Sequence, residues 1–193
     1  MQADPPQPSS VQTGKWLAVG LALLISWGIF AFSTRKFFKV DELSPPSLEN
    51  IPVPRPVTYN WTLLDLDDKP VDFSKFQGKP IVLNLWATWC GPCLMEMPSL
   101  VSLANSPDLK GREIVFLCVS TDQSAETLRA FLKSKDWNVT ILRATGLPPC
   151  FETQGIPATF VISPQGQIVT AEIGAAKWDD PSVIYFLQKM ANK

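Results

Sequence analysis

The stretch PIVLNLWATWCGPCLMEMPSL, residues 80–100, most constrains the fold because a continuous apolar run is followed almost at once by a helix-forming run. The first part, PIVLNLW, is typical of a strand buried on both faces. The second part, which begins at GPC and runs to about residue 106, predicts a helix with an approximate apolar stripe and a kink at Pro98. Cys90 and Cys93 lie at the junction, so Cys90 is predicted to lie at the start of the helix.

The rest of the domain repeats this alternation of strands and helices. A hairpin is predicted in WTLLDLDDKPVDF, with its turn at residues 67–69, and FSKFQGK predicts a short helical turn that ends at Gly78. Further strands are predicted in EIVFLCVST, NVTILR, ATFVIS and QIVTAEIG, and further helices in SAETLRAFLKSKD and DPSVIYFLQKMA. The pattern predicts one α/β domain over residues 57–193, in which helices flank a central mixed sheet.

An apolar segment precedes this domain. Residues 16–32 are 17 positions without a charged side chain, close to the lower limit for a membrane-spanning helix. We predict an uncleaved, single-pass transmembrane anchor over residues 15–34, with a cleaved signal peptide or a buried helix as the alternatives. Residues 1–14 are predicted to be a disordered tail, and the Pro-rich residues 35–56 to be an extended linker.

The charges beside the apolar segment bear on its orientation. Lys15 precedes the segment, whereas Arg35, Lys36 and Lys39 follow it. Taken alone, the positive-inside rule therefore places the C-terminal domain in the cytoplasm.

Composition excludes several classes of function. The chain has no histidine, which excludes Ser-His and Cys-His catalytic pairs and any metal site that contains histidine. The net charge is −1, so nucleic acid is not an expected partner. A zinc site at Cys90 and Cys93 would need two further ligands, and the sequence suggests none.

Two cysteines separated by two residues at a helix start are typical of a redox pair. Free N–H groups at the helix N-terminus stabilise a thiolate at Cys90, which makes it the attacking sulfur. Cys93 lies one turn further on and is placed to resolve a mixed disulfide on Cys90. The alternative is that both are inert, small core residues. The redox interpretation implies no cofactor besides the disulfide itself and no metal.

A second feature is the sequence TQGIPATFVIS, in which Pro157 directly precedes an apolar strand. Proline cannot join the hydrogen-bond ladder of a central strand, so its presence needs a reason. A cis bond between Ile156 and Pro157 is one such reason. A trans proline that ends a loop is the alternative.

WATWCGPC together with GIPATFVIS resembles the thioredoxin superfamily. The apolar N-terminal segment, VLNLWATWCGPCLMEMPSL and GAAKWDDPS resemble more specifically the membrane-anchored TlpA/ResA-like thiol-disulfide oxidoreductases. The likeness extends over residues 57–193 and implies a thioredoxin-like fold with an N-terminal hairpin and a central insert. Asn84 stands where classical thioredoxins carry a buried aspartate, as is usual in this group.

The resemblance implies a set of site residues. Cys90 would be the nucleophile, Cys93 the resolving cysteine, and Glu96 the group that tunes or accepts the Cys93 proton; the alternative for Glu96 is an exposed charge on the helix. Around the disulfide, the residues implied to contact substrate are Trp89, Gly91, Pro92, Ile156 and Pro157. Pro157 would be the cis-proline, and the Ile156 backbone would pair with a bound polypeptide.

The sequence departs from the TlpA/ResA-like group in two places. Gly91-Pro92 is the thioredoxin dipeptide rather than one typical of ResA, which leaves the redox potential open. Cys150 in GLPPCF has no role that the resemblance assigns. Cys118 and Cys150 are predicted to be free, small and buried, with a disulfide between them as the alternative.

The function implied is that of a monomeric, membrane-anchored reductant in the bacterial inner membrane, with its catalytic domain facing the periplasm or exterior. Its partners would be client proteins with disulfides or thiols, as in cytochrome c or cytochrome oxidase maturation, and a membrane thiol-reductant that supplies electrons. The alternatives are a disulfide-forming oxidant with the same residues and a redox-inert binding module on a membrane tether. A peroxidase and a copper-delivery protein lack their expected motifs.

Overall fold

The computed structural model describes residues 43–48 and 55–192, which belong to one compact unit that begins at Leu43. Eight strands form a single sheet in the order β1-β8-β7-β4-β5-β6-β2-β3. The strands are β1 (Arg55–Pro56), β2 (Thr62–Leu64), β3 (Pro70–Asp72), β4 (Ile81–Trp86), β5 (Val115–Ser120), β6 (Thr140–Arg143), β7 (Ala158–Ile162) and β8 (Gln167–Ile173). The helices are α1 (Gly91–Ala104), α2 (Ala125–Leu132) and α3 (Pro181–Ala191).

The sheet is mixed, as predicted. Strands β4, β5 and β6 are parallel, whereas β7 pairs antiparallel with β4 and β8 pairs antiparallel with β7. The predicted hairpin is β2–β3, and it joins the sheet edge through one antiparallel pair, Leu64 with Arg143. Its turn includes Asp68, which adopts a positive φ of 59°. Helix α2 and strand β6 lie between β5 and β7 in the chain, where the central insert was expected.

Strand β4 carries the core on both of its faces because all six of its residues are buried. Ile81, Leu83 and Leu85 pack into one apolar cluster, with Phe73 and Phe160 among its members. Val82 and Trp86 pack into the other cluster, which contains the inward residues of α1 and α3, among them Met97, Leu103 and Leu187. Alternation along a strand places Asn84 on this second face, beneath α1.

The described part of the predicted linker contradicts the expectation of an extended spacer. Ser44 accepts a hydrogen bond at its carbonyl from Lys177 N–H at 2.8 Å, and Pro46 is buried. Ser47 donates from its N–H to the Glu172 carboxylate at 2.8 Å. Strand β1 also pairs with β8. These contacts make residues 43–48 and 55–56 part of the domain, which therefore begins before residue 57.

No helix among residues 43–48 and 55–192 is long and apolar enough to cross a membrane. The predicted anchor at residues 15–34 and the predicted tail at residues 1–14 lie outside the described residues and stay predictions.

Candidate active site

Helix α1 begins directly after Cys90, as predicted, and the two cysteines form a disulfide. Cys90 is the N-cap residue, and its sulfur accepts a hydrogen bond from Cys93 N–H at 3.2 Å. Pro92 stands in the first turn, where its missing N–H costs nothing. The helix N-terminus therefore points one of its free donors at the Cys90 sulfur, an arrangement that stabilises a thiolate after reduction.

The two sulfurs differ in access to solvent. Cys90 is 6% exposed and Cys93 is fully buried. Gly91 and Pro92 are exposed beside them, and Trp89 is 72% exposed. Of the two cysteines, only Cys90 therefore has surface that an incoming disulfide can contact. This asymmetry matches the roles of attacking and resolving cysteine that the sequence predicted.

The loop that precedes β7 faces the disulfide. The peptide bond between Ile156 and Pro157 is cis, which confirms the preferred prediction for this bond. The Ile156 carbonyl oxygen lies 3.7 Å from Cys90 Sγ. Ile156 is half-buried and Pro157 is buried. Within the described part of the chain, no hydrogen bond joins Ile156 N–H or C=O to another backbone group, so a bound polypeptide can pair with the N–H and with the carbonyl beside the Cys90 sulfur.

Glu96 is fully buried, so the alternative of an exposed helix-face charge is wrong. Its Oε1 accepts from Asn84 Nδ2 at 2.7 Å, and its Oε2 accepts from Ala176 N–H and from Trp178 Nε1, each at 3.1 Å. Burial raises the pKa of Glu96 from 4.5 to about 7, against these three donors, which lower it. A carboxyl group with such a pKa exchanges its proton near neutral pH.

Glu96 lies one helical turn after Cys93 on the buried side of α1. None of the side-chain hydrogen bonds of Glu96 within the described residues goes to Cys93, so proton exchange between the two stays a prediction. On the sheet, Glu96 contacts Asn84, whose partners on the neighbouring strands are Thr159 and Cys118. Asn84 Nδ2 also donates to Thr159 Oγ1 at 2.9 Å, which fixes the amide between β7 and α1.

The other two cysteines are free, as the preferred prediction held. Cys118 is buried beneath α1, where burial and the negative charge of Glu96 raise the pKa of its thiol to about 12. Such a thiol stays protonated and inert at neutral pH. The prediction that Cys150 is buried is wrong, because Cys150 is half-buried and packs against the outside of the apolar cluster that contains Phe73, beside Phe151.

Sequence reasoning missed several residues that hold the site together. Ala176 and Trp178, which bind Glu96, lie in GAAKWDDPS, a segment noted only as typical of the group. Asp122 binds Thr88 in the loop before Cys90. The position of Asp122, two residues after a buried strand, was an available signal, because the ends of parallel strands meet at one edge of the sheet.

In the described residues, no group of three Cys, Asp or Glu side chains is close enough together to hold a metal ion. The site is thus made of a disulfide at a helix N-terminus, a facing cis-proline loop and a buried carboxyl group. On a thioredoxin-like sheet, these features define a thiol-disulfide oxidoreductase.

Comparisons with known proteins agree with this class. The model of the family described as Redoxin matches residues 49–185, and the chain belongs to this family. The chain is 29% identical over 156 residues to the thiol-disulfide oxidoreductase ResA of Bacillus cereus, covering 80% of this chain and 85% of that protein. It is 31% identical over 117 residues to ResA of Bacillus subtilis, covering 60% of this chain and 64% of that protein.

A solved structure shows the same fold. A crystal structure of a putative thiol-disulfide oxidoreductase from Bacteroides vulgatus superposes with a TM-score of 0.61 at 27% identity, over 72% of this chain and 96% of that one. Together with the family match, this likeness makes the chain a TlpA/ResA-like member of the thioredoxin superfamily and a protein-disulfide oxidoreductase.

Proposed function

We propose that this protein reduces disulfides in client proteins outside the cytoplasm, in cytochrome c or cytochrome oxidase maturation. The observation that carries the proposal is the unequal access to the two cysteines of the disulfide, because Cys90, next to exposed Trp89 in the chain, keeps 6% of its surface exposed and Cys93 is fully buried. The similarity to proteins named thiol-disulfide oxidoreductase ResA supports thiol-disulfide exchange as the reaction, and the reducing direction is part of the proposal.

The reaction begins with the reduced pair. The Cys90 thiolate attacks one sulfur of the client disulfide, forms a mixed disulfide and releases the first client sulfur as a thiolate. The Cys93 thiol gives its proton to ionised Glu96, and the resulting thiolate attacks the Cys90 sulfur. The bond between Cys90 and the client breaks, the Cys90–Cys93 disulfide forms, and the second client thiolate leaves. The client gains two electrons, and the cysteine pair loses two.

The client polypeptide would bind across the cis-proline loop. The open N–H and C=O groups of Ile156 offer an extended chain a short strand-like pairing beside the disulfide. Trp89 and Ile173 are large exposed apolar side chains, and Ile173 pairs on the sheet with Ala158, next to Pro157. Such a surface binds client polypeptides of many sequences, because it contacts the client backbone and apolar side chains more than particular side chains.

The reduction potential tests the direction of electron flow. We expect the Cys90–Cys93 pair to have a potential near or below that of thioredoxin, about −270 mV, when the purified chain is equilibrated with glutathione or dithiothreitol buffers. A value near −120 mV would instead indicate a disulfide-forming oxidant. A shortened chain for this measurement must keep residues 43–48, because they pack against the domain.

We also propose that the predicted segment 15–34 anchors the chain in the bacterial inner membrane, that the domain faces the periplasm or exterior, and that a membrane thiol-reductant restores the pair. Disulfides in client proteins persist only where the surroundings are oxidising, which supports a domain that faces the periplasm or exterior. The charges at Arg35, Lys36 and Lys39 favour the opposite side.

Labelling in intact cells decides between the two orientations. In a Cys150→Ser variant, Cys90 is the most accessible thiol after mild reduction, because it is 6% exposed whereas Cys93 is 0% and Cys118 is 2% exposed. We expect a membrane-impermeant maleimide to label this variant before lysis as completely as after lysis. Labelling only after lysis would place the domain in the cytoplasm and would contradict the proposal.

A further inference from the structure

The loop that carries Cys90 is tied to the end of the neighbouring strand β5 by one carboxylate. Thr88 donates from its N–H to Asp122 Oδ2 at 2.9 Å and from its hydroxyl to Asp122 Oδ1 at 2.7 Å. Asp122 therefore binds both donors of a single residue that lies two positions before Cys90. No residue role predicted from the sequence included this contact.

Asp122 is itself held rigidly. It is 4% exposed, its Oδ2 also accepts from Ser120 Oγ at 2.6 Å, and its N–H donates to the same hydroxyl oxygen at 2.9 Å. Within the described parts of the chain, no basic side chain forms an ion pair with it. A buried carboxylate without a cationic partner carries a desolvation cost that a neutral side chain would avoid. The position of buried Asp122 beside the disulfide loop therefore needs an explanation.

Asp122 helps to fix the position of the loop between β4 and α1, which carries Cys90. Thr121 N–H donates to the Trp86 carbonyl at 2.8 Å where β4 ends, and Cys90 N–H donates to the Ala87 carbonyl at 3.2 Å where the helix begins. Between these two points, Asp122 fixes the loop by accepting from Thr88. If the loop shifts, the Cys90 sulfur leaves the N–H group of the helix N-terminus that stabilises its thiolate.

We propose that Asp122 is a positioning residue for thiol exchange, which keeps Cys90 at the helix N-terminus by binding both donors of Thr88. The proposal rests on the proposed function only in that Cys90 is the attacking sulfur. It predicts that the two hydrogen bonds affect the reactivity of Cys90 beyond any effect on folding. A tether that only stabilises the fold would lower thermal stability and leave that reactivity unchanged.

Two substitutions at Thr88 separate these cases without a change in charge. Thr88→Ser keeps both donors, and Thr88→Val keeps the N–H but loses the hydroxyl. The measurement is the rate of iodoacetamide alkylation of Cys90 against pH, in the reduced full-length chain with Cys150→Ser. We expect Thr88→Val to raise the pH of half-maximal alkylation, so that the rate near neutral pH falls about threefold to fivefold. Thr88→Ser is expected to match the parent chain.

A double-mutant cycle assigns the effect to Asp122. In an Asp122→Ala background the hydroxyl has lost its partner, so Thr88→Val is expected to cause no further change. The missing Asp122 charge affects the alkylation rate equally with Thr88 and with Thr88→Val in this background, so its direct effect cancels in the comparison. A change of equal size in both backgrounds would overturn the assignment to Asp122, and an unchanged alkylation profile in Thr88→Val would overturn the proposal itself.

Two controls keep the result interpretable. Asp180→Ala removes the side-chain cap of α3, where Asp180 accepts from Ser182 N–H at 2.9 Å, and is expected to lower thermal stability without changing the alkylation profile. If Asp122→Ala does not fold, Asp122→Asn takes its place, because the introduced amide has one acceptor oxygen instead of two, and the effect of Thr88→Val is then expected to be smaller than in the parent chain. Failure of client reduction with a normal alkylation profile would count against the proposed function and not against this positioning role.

Discussion

Replacement of Cys90 by serine is expected to abolish reduction of a client disulfide, with a loss of about a thousandfold or more. A serine hydroxyl does not ionise near neutral pH, so the helix N-terminus has no anionic nucleophile to stabilise. Cys93 cannot take over, because it is fully buried. The measurement is the rate at which the reduced chain cleaves a disulfide-containing peptide, followed by mass spectrometry.

Cys93→Ser is expected to give a different result, which is a stable mixed disulfide between Cys90 and the peptide. Attack on the client still occurs, but the resolving thiol is gone. Cys150→Ser is the matched control, since Cys150 packs half-buried against the apolar cluster that contains Phe73 and is expected to be without effect. Turnover by the Cys90→Ser variant, or loss of turnover in Cys150→Ser, would refute the assignment of the redox pair.

The sequence predicted the parts of the site that local physics determines. An apolar strand followed by a helix start places Cys90 and Cys93 at a junction, whatever the rest of the chain does. Pro157 before a central strand similarly indicated a special backbone, and its peptide bond is cis. The alternation of strands and helices predicted a mixed sheet, and β4 indeed pairs parallel with β5 and antiparallel with β7.

The parts that the sequence left open, missed or predicted wrongly depend on contacts between distant residues. Glu96 is buried because Ala176 and Trp178, 80 and 82 positions away, cover it, and no local pattern around Glu96 encodes that cover. Asp122 meets Thr88 only because β4 and β5 pair in parallel. The linker prediction rested on proline content, but Ser47 binds Glu172, a contact that composition cannot reveal.

The second large effect concerns Glu96→Gln. We expect this variant to resolve the mixed disulfide about a hundredfold more slowly than the parent chain at pH 7, because the proton acceptor for Cys93 is lost. In the parent chain, the rate of this step should rise with pH and level off above the pKa of Glu96, about 7. In the variant, that rise should be absent, and the rate should follow ionisation of the thiol itself at higher pH.

Glutamine fits this site, so the Glu96→Gln variant should fold. The carbonyl oxygen of the introduced side chain can still accept from Ala176 N–H and Trp178 Nε1. Its amide nitrogen would face Asn84, whose Oδ1 is buried and has no hydrogen-bond partner among the described residues. A half-turn of the Asn84 amide brings that oxygen to the new donor, while the Thr159 hydroxyl can donate instead of accept.

The free energy of unfolding of the parent chain and that of the Glu96→Gln variant should depend differently on pH. The pKa of Glu96 is about 7 in the folded chain and 4.5 as its ordinary value, so between these pH values the folded state keeps a proton that the unfolded state has released. The free energy of unfolding therefore falls as pH rises from about 4.5 to 7, by up to about 3 kcal/mol at roughly 1.4 kcal/mol per pKa unit. Relative to the parent, Glu96→Gln should gain stability across this range and hold the gain above it.

Glu172→Gln is the control that tests electrostatics without removal of the acceptor. The Glu172 charge contributes to the raised pKa of Glu96, so its loss should move the pH profile of resolution to lower pH and keep its shape. Chemical denaturation and stopped-flow release of the peptide thiol, both measured from about pH 5 to about pH 9 to bracket the relevant ionisations, give the two profiles. If the resolution profile of Glu96→Gln coincides with that of the parent chain, Glu96 holds Ala176 and Trp178 in place but takes no proton from Cys93.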